Sequence, residues 1–192
     1  FWPSDNTDPI ERLFIQWGFS QVFPAKTMCA HVTTWNKNTS VKFRTDVAMM
    51  CKLGFDIKLA DMSKDDEAYC RAAVQNYNRL KPVVLEGDMY RLVSPHGSNH
   101  TSTMYVGKDK DKAVVFAFDI HPRYAEKTLP VRLQGLDADK MYRVKEINLM
   151  PGGNSSLSGN GKVFSGEFLM NVGLNLFTAR KLNSRVIEVV AE

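Results

Sequence analysis

The pattern of apolar residues changes near Pro82, and this change constrains the fold more than any other feature of the sequence. Ahead of Pro82, stretches with apolar residues at i, i+3, i+4 and i+7 alternate with short apolar runs, which predicts alternating helices and buried strands. After it, short strand-like runs are separated by turn residues, which is typical of antiparallel sheets. The sequence therefore predicts an α/β domain over 1–83 and an all-β domain over 84–192.

The first domain is predicted to contain three helices and two strands. In chain order these are a helix from Asp8, a strand over 27–32, a helix over 41–53 that Gly54 ends, a strand over 55–59, and a helix from Ser63 to about Arg79. This alternation is typical of a parallel β/α architecture. Two strands and three helices cannot close a barrel or cover both faces of a sheet. We therefore expect the last units of a larger fold.

The second domain is predicted to be an antiparallel β-sandwich or an open barrel. A charged hairpin turn is expected over 107–111, and a loop rich in Gly, Ser and Asn over 151–162. Tyr90, Tyr105, Phe116 and Tyr142 alternate with other apolar residues, so we expect them in the core. The predicted strands cover 89–93, 103–106, 113–118, 131–133, 141–144, 166–170 and 184–190.

Composition argues against several classes of partner. The 25 basic and 21 acidic residues are mixed along the chain and give a net charge of +4, with no basic block of the kind that binds nucleic acid. No apolar run reaches the roughly 18 residues that span a membrane. Cys29, Cys51 and Cys70 form no CxxC pair, so neither a metal site nor a disulfide framework is predicted. We expect no nucleic acid, no membrane and no metal.

The opening residues, Phe1 to Asp8, place two carboxylates just ahead of the first helix. Asp8 precedes Pro9 and, three positions on, Glu11, which is the pattern of an N-cap, a proline in the first turn and an early acidic residue. Asp8 thus has a structural role. Asp5 has no such role, and it lies in a loop, where active sites are often built.

Taken together, the chain resembles the α-galactosidases of glycoside hydrolase family 36. The opening block matches the family's S-D-x-x-D-x-x-x-R motif, with Ser4, Asp5, Asp8 and Arg12 in its fixed positions. Further matching pieces occur in the family's order, and they are Met28-Cys29-Ala30-His31-Val32, Arg44-Thr45-Asp46-Val47-Ala48, Tyr90-Arg91-Leu92-Val93-Ser94-Pro95, Leu133-Gln134-Gly135-Leu136, Tyr142-Arg143-Val144 and Leu169-Met170 with Gly173-Leu174. Cys29 stands where the family commonly has Gly.

The resemblance implies the end of a (β/α)8 TIM barrel, from the loop after its sixth strand, followed by a C-terminal β-domain. It implies a retaining exo-α-galactosidase that acts on terminal α-linked galactose, as in melibiose or raffinose-type sugars, without a cofactor. Asp5 would be the general acid/base. Trp2, Ser4 and Asp8 would lie at the substrate, although for Asp8 the capping role is favoured. The parent enzyme would be a homo-oligomer.

The family's nucleophile lies in a Lys-x-Asp motif on an earlier strand. Lys64-Asp65 and Lys110-Asp111 are a helix start and a surface turn, so neither is its counterpart. We therefore expect the nucleophile upstream of this chain and no activity from these residues alone. His31, Arg12 and the Arg44-Thr45-Asp46 segment are interpreted as structural.

Two other functions stay open. Within the enzyme class, an α-N-acetylgalactosaminidase or a transglycosylase would share most of these motifs. In a different class, the chain could be a stand-alone carbohydrate-binding or interaction module, which would bind galactosides without the earlier part of the barrel. The cellular compartment is not fixed by the sequence.

Overall fold

Two sheets of different kinds organise the chain, seen here in a computed structural model that describes residues 1–5, 8–34, 38–178 and 180–192. The elements are α1 (Pro9–Phe19), β1 (Cys29–Thr33), α2 (Val41–Ala48), β2 (Lys52–Asp56), α3 (Lys64–Glu86), β3 (Asp88–Val93), β4 (His100–Val106), β5 (Lys112–Asp119), β6 (Met141–Ile147), β7 (Val163–Ser165), α4 (Gly166–Asn171) and β8 (Asn183–Ala191). The first sheet pairs β1 and β2 in parallel, and the second pairs six antiparallel strands in the order β3-β4-β5-β8-β6-β7. Among the described residues, no helix is long and apolar enough to cross a membrane.

Side-chain caps start the helices of the first domain where the sequence predicts them. The Asp8 carboxylate accepts hydrogen bonds from the backbone N–H groups of Ile10 and Glu11 at 2.8 and 3.2 Å. Ser63 accepts from the N–H of Asp66 at 3.1 Å and starts α3. Each cap satisfies a donor that has no partner within the helix. Both predicted helix starts are therefore confirmed.

The predicted ends of two helices and the bounds of one strand in the first domain are wrong. The second helix ends at Ala48 rather than near Leu53. The strand predicted over 55–59 is β2 (Lys52–Asp56), so Gly54 lies inside it. The third helix continues past Pro82 to Glu86. A proline inside a helix costs about 3 kcal/mol. Burial of Val83, Val84 and Leu85 directly after it is worth roughly 1.5–3 kcal/mol for each side chain, which outweighs that cost.

Two predicted strands of the second domain are also wrong. Residues 166–170 form α4, because the Ser165 hydroxyl accepts from the Phe168 N–H and caps a short helix. Val131 makes only an isolated bridge with Leu174. The other predicted strands are present, and the hairpin turn between β4 and β5 closes where expected, with the Gly107 N–H donating to the Lys112 carbonyl.

Both faces of the six-stranded sheet are buried at its central strands β4, β5 and β8, because alternate residues of these strands enter two different cores. On β5, Val114, Phe116 and Phe118 pack against the helices, whereas Ala113, Val115 and Ala117 pack against the segments that connect the later strands. The helix side includes Leu13, Phe43, Tyr69, Leu80 and Val84, and the opposite side includes Leu133, Leu136, Leu157, Leu169, Leu174 and Leu176. The expected core positions of Tyr105, Phe116 and Tyr142 are confirmed, and Tyr90 is half-buried.

Hydrogen bonds join the sheet to the helical part. The Tyr105 hydroxyl donates to the Met50 carbonyl at 2.8 Å, and the Arg91 Nε donates to the Ser20 hydroxyl at 2.9 Å. Ser20 is the C-cap residue of α1. The β-domain thus holds the far end of the helix whose start carries the opening motif.

Candidate active site

The first residues of the chain continue the parallel sheet on its β1 side. The Phe1 backbone nitrogen donates to the Thr27 carbonyl at 2.7 Å, and the Cys29 N–H donates to the Phe1 carbonyl at 2.9 Å. These two bonds, to residues on either side of Met28, are the pattern of a parallel ladder. Phe1 therefore runs parallel to β1 at the level of Met28, the residue directly before the strand.

Asp5 is exposed to solvent, and its charge acts on Arg12 of α1 and on His31 of β1. Functional side chains of β/α folds gather at the carboxyl ends of parallel strands. Asp56, the last residue of β2, is an exposed carboxylate at such an end, and its charge also acts on His31. Because β1 and β2 pair in register, with Thr33 opposite Asp56, the strand ends are level.

The Trp2 side chain packs against β1. Its side chain is 61% exposed, and its ring centroid lies 5.2 Å from that of His31 on β1 at an angle of 41°. An exposed indole suits a sugar ring, whose apolar face packs on aromatic surfaces. Asn6 and Thr7, which belong to the predicted motif, lie outside the described residues.

The backbone around Asp5 is anchored by α1. Arg12 Nη2 donates to the carbonyl of Ser4 at 3.2 Å, and Asp8 caps the helix through two backbone N–H groups. Arg12 is only 2% exposed. Asp8 thus carries the predicted cap, and Ser4 contributes at least its carbonyl to holding the segment.

Charge and burial shift the titration of Arg12 and His31. Burial lowers the pKa of Arg12, whereas Coulombic interactions with Cys51 and Asp5 raise it. The pKa of His31 is lowered by burial and by the Arg12 cation, with Asp56 and Asp5 acting in the other direction. Asp5, Asp56, His31 and Arg12 therefore share one electrostatic neighbourhood.

The sequence predicts Asp5, Trp2, Ser4 and Asp8 as site residues, and all four lie within the described stretches, at or before the start of α1. Asp56 was not predicted, although its place at the end of a strand could have indicated it. Arg12 and His31 were interpreted as structural, and their electrostatic connection to Asp5 follows only from the folded arrangement. Within the described ranges, no group of three His, Cys, Asp or Glu side chains could hold a metal ion.

Two family models match the chain in adjacent stretches. The model described as Melibiase covers residues 1–87, and the model described as the glycosyl hydrolase family 36 C-terminal domain covers residues 100–189.

Curated and solved proteins agree with these matches. The chain is 35% identical to alpha-galactosidase 2 of Hypocrea jecorina over 97% of its own length and 24% of that protein. It superposes on the GH36 alpha-galactosidase AgaB of Geobacillus stearothermophilus with a TM-score of 0.86 at 28% identity, covering 99% of this chain and 25% of that one. A variant of AgaA from the same organism, solved in complex with raffinose, gives a TM-score of 0.85 at 27% identity over 98% and 25% of the two chains. The chain thus spans about a quarter of the length of the relatives it matches.

Proposed function

The chain belongs to glycoside hydrolase family 36, comprising the end of the catalytic barrel and the C-terminal β-domain, and from this membership we propose that it is part of a retaining α-galactosidase. The observation that carries the proposal is the place of Asp5. It is an exposed carboxylate just past a segment that pairs in parallel with β1, inside a helix-start motif that this family shares.

Retaining glycosidases use two carboxyl groups about 5–5.5 Å apart. In the proposed mechanism Asp5 is the acid/base. It first donates its proton to the glycosidic oxygen as the bond to the leaving sugar breaks, and the nucleophile forms a covalent galactosyl intermediate. Asp5 then takes a proton from the water that hydrolyses this intermediate. We propose that the nucleophile comes from a segment ahead of Phe1, since neither Lys64-Asp65 nor Lys110-Asp111 lies at a strand end.

The remaining opening residues receive distinct roles. We assign Trp2 to packing on the apolar face of the galactose ring, because its indole is exposed and lies against His31, on which the charge of Asp5 also acts. Ser4 is assigned to the rim of the sugar pocket. Asp8 serves chiefly as the helix cap, so that any contact with substrate is secondary to its two backbone hydrogen bonds.

The proposed substrates are oligosaccharides that end in α-linked galactose. Support comes from the structural neighbour that was solved with raffinose. An α-N-acetylgalactosaminidase or a transglycosylase of the same family would share the residues described here, and the discriminating sugar contacts would lie upstream. We also propose that the full-length enzyme is a homo-oligomer, which light scattering of the purified protein would test.

A stand-alone sugar-binding module receives less support. Tyr105, Phe116 and Tyr142 of the β-domain are buried, so they offer no exposed aromatic platform. The two functions differ in what the 192-residue chain does alone. A binding module retains galactoside affinity in isolation, whereas part of a catalytic barrel does not.

The test compares the full-length gene product with the 192-residue chain on melibiose and raffinose. We expect the full-length protein to release galactose as the α-anomer, followed by NMR in the first minutes, and the isolated chain to release none. Release of β-galactose would overturn the retaining mechanism. Measurable galactoside binding by the isolated chain would favour the binding module instead.

A further inference from the structure

Arg12 is a buried cation that donates a hydrogen bond to the segment carrying Asp5. Its side chain is fully enclosed, yet its Nη2 donates to the carbonyl of Ser4, the residue directly before Asp5. Taking a guanidinium out of water costs several kcal/mol unless the surroundings compensate it. A position that needed only packing would be filled at lower cost by an apolar residue. The burial of a charge here therefore indicates a role for that charge.

Asp5 is the carboxyl group that acts on Arg12. Two acidic groups raise the pKa of the guanidinium against the effect of burial, Cys51 and Asp5. Burial raises the pKa of the Cys51 thiol to about 12, so this thiol is neutral near pH 7. Of the two, Asp5 is the one that lies next to the carbonyl on which Arg12 donates.

Two nitrogens of the Arg12 guanidinium make no hydrogen bond to the described residues. They are Nε and Nη1, and both are buried. A guanidinium presents its five N–H donors in a rigid planar fork, so fixing one of them on a carbonyl fixes the direction of the others. Arg12 is thereby able to restrain both the backbone and the charge of the segment that it contacts.

The anchors of this segment come from one helix. Arg12 holds Ser4 at the beginning, while Asp8 caps α1 at the end, and the Arg12 N–H itself donates to the Asp8 carbonyl at 2.9 Å. Asp5 stands between the two anchors. Because Arg12 and Asp8 lie one helical turn apart, the rigid helix sets the distance between the anchors.

We propose that Arg12 is a positioning residue for the acid/base step, fixing the Asp5 carboxyl group where it can protonate the glycosidic oxygen. This inference rests on the proposed function of Asp5. It assigns to Arg12 no contact with the sugar and no proton transfer of its own. A misplacement of a reacting group by about 1 Å can cost roughly a hundredfold in rate.

The test exploits the different demands of two substrates on acid catalysis. Melibiose has a sugar leaving group that must be protonated, whereas 2,4-dinitrophenyl α-galactoside releases a stable phenolate that needs no proton. In the full-length enzyme, we expect Arg12→Met to lower kcat/KM on melibiose about 100-fold and on the dinitrophenyl galactoside less than about threefold. Arg12→Lys, which keeps the charge without the planar fork, should fall between wild type and Arg12→Met.

A matched control separates positioning from general loss of folded protein. Arg71→Met removes an exposed arginine of α3 that pairs with Glu67, and it should leave the ratio of the two kcat/KM values unchanged. If Arg12 had only a structural role, Arg12→Met would lower kcat/KM for both substrates by the same factor, and this result would overturn the proposal. If Arg12→Met does not fold, the ratio measured for Arg12→Lys decides in the same way.

The two proposals can fail separately. Suppose that wild type cleaves both galactosides and that Asp5→Ala loses activity on melibiose alone. If Arg12→Met then keeps its activity on both substrates, or loses it equally on both, the role of Arg12 is wrong and that of Asp5 stands. If the wild-type enzyme cleaves neither substrate, the proposed function fails and the inference falls with it.

Discussion

The hydroxyl of Ser184 on β8 donates a hydrogen bond of 2.7 Å to the carboxylate of Asp46 on α2, although the two residues are 138 positions apart. Three further side chains donate to the same carboxylate. They are Lys42 at 2.5 Å, Tyr69 at 2.8 Å and Asn148 at 3.1 Å. Asp46 is fully buried. One carboxylate thus joins two helices of the first domain to the β-domain.

Replacing Asp46 by Ala should therefore destabilise the protein strongly. The substitution leaves the donors of Tyr69, Asn148 and Ser184 buried without their acceptor, and removing one member of a buried charged pair costs about 3–5 kcal/mol. Denaturant unfolding monitored by circular dichroism measures the change in the free energy of unfolding. Asp139→Ala, at an exposed position, should stay within about 0.5 kcal/mol of wild type. Equal stability of the two variants would show that the Asp46 network does not hold the domains together.

Asp8 offers a way to separate helix capping from substrate binding. Asp8→Ala removes the acceptor of two backbone N–H groups and should lower the free energy of unfolding by about 1 kcal/mol. Asp8→Ser restores a capping oxygen without the charge, so it should recover most of that stability and leave the KM for melibiose near the wild-type value. A stable Asp8→Ser variant with a strongly raised KM would instead show that Asp8 binds the sugar.

The capping result shows which parts of the fold a sequence can predict. The predicted helix starts at Asp8 and Ser63 are confirmed, because a cap depends only on residues that lie three or four positions apart in the sequence. The predicted helix ends are not, because tertiary burial decides them. Pro82 is a strong local signal against helix, yet Val83 and Val84 are buried against the sheet and the helix continues. At Ser165, by contrast, two local signals conflict. The residues after it predict a strand, but the Ser165 side chain caps α4 and the structure follows the cap.

The site was predictable to a different degree. The motif and its place before a helix single out Asp5 as a candidate. The connection of Arg12 to Asp5 could not be predicted, because whether that arginine points to the barrel, to a carboxylate or to solvent depends on packing. The same holds for Asp56 and His31, whose electrostatic interaction arises only when β1 and β2 pair. Periodicity indicates which residues of a helix or strand face the core, but not which residues of the neighbouring strand lie next to them.

The buried Cys51 thiol should make stability depend on alkaline pH. Burial raises its pKa from 9.0 to about 12, so the unfolded chain loses this proton at lower pH than the folded protein. The contribution of Cys51 is therefore complete below pH 9 and is lost progressively between pH 9 and about 12. By pH 10 the loss amounts to roughly 1.4 kcal/mol.

Cys51→Ala isolates this contribution from those of Cys70, Tyr69, Tyr77, Tyr105 and Tyr142, whose pKa values burial also raises. Urea unfolding at pH 7, 8, 9 and 10 should give a constant difference between variant and wild type up to pH 8. Above that, wild type should lose stability more steeply than Cys51→Ala. Parallel curves up to pH 10 would mean that the thiol ionises as readily in the folded protein as in the unfolded chain.

The central claim is that Asp5 is the acid/base of a retaining α-galactosidase, and azide rescue of the full-length Asp5→Ala enzyme tests it most directly. Azide attacks the galactosyl intermediate without needing a base, so it replaces the water that Asp5 would activate. We predict that the variant is nearly inactive on melibiose, and that azide restores turnover of 2,4-dinitrophenyl α-galactoside with α-galactosyl azide as the product. Full melibiose activity of the variant, or a β-configured azide, would contradict the assignment.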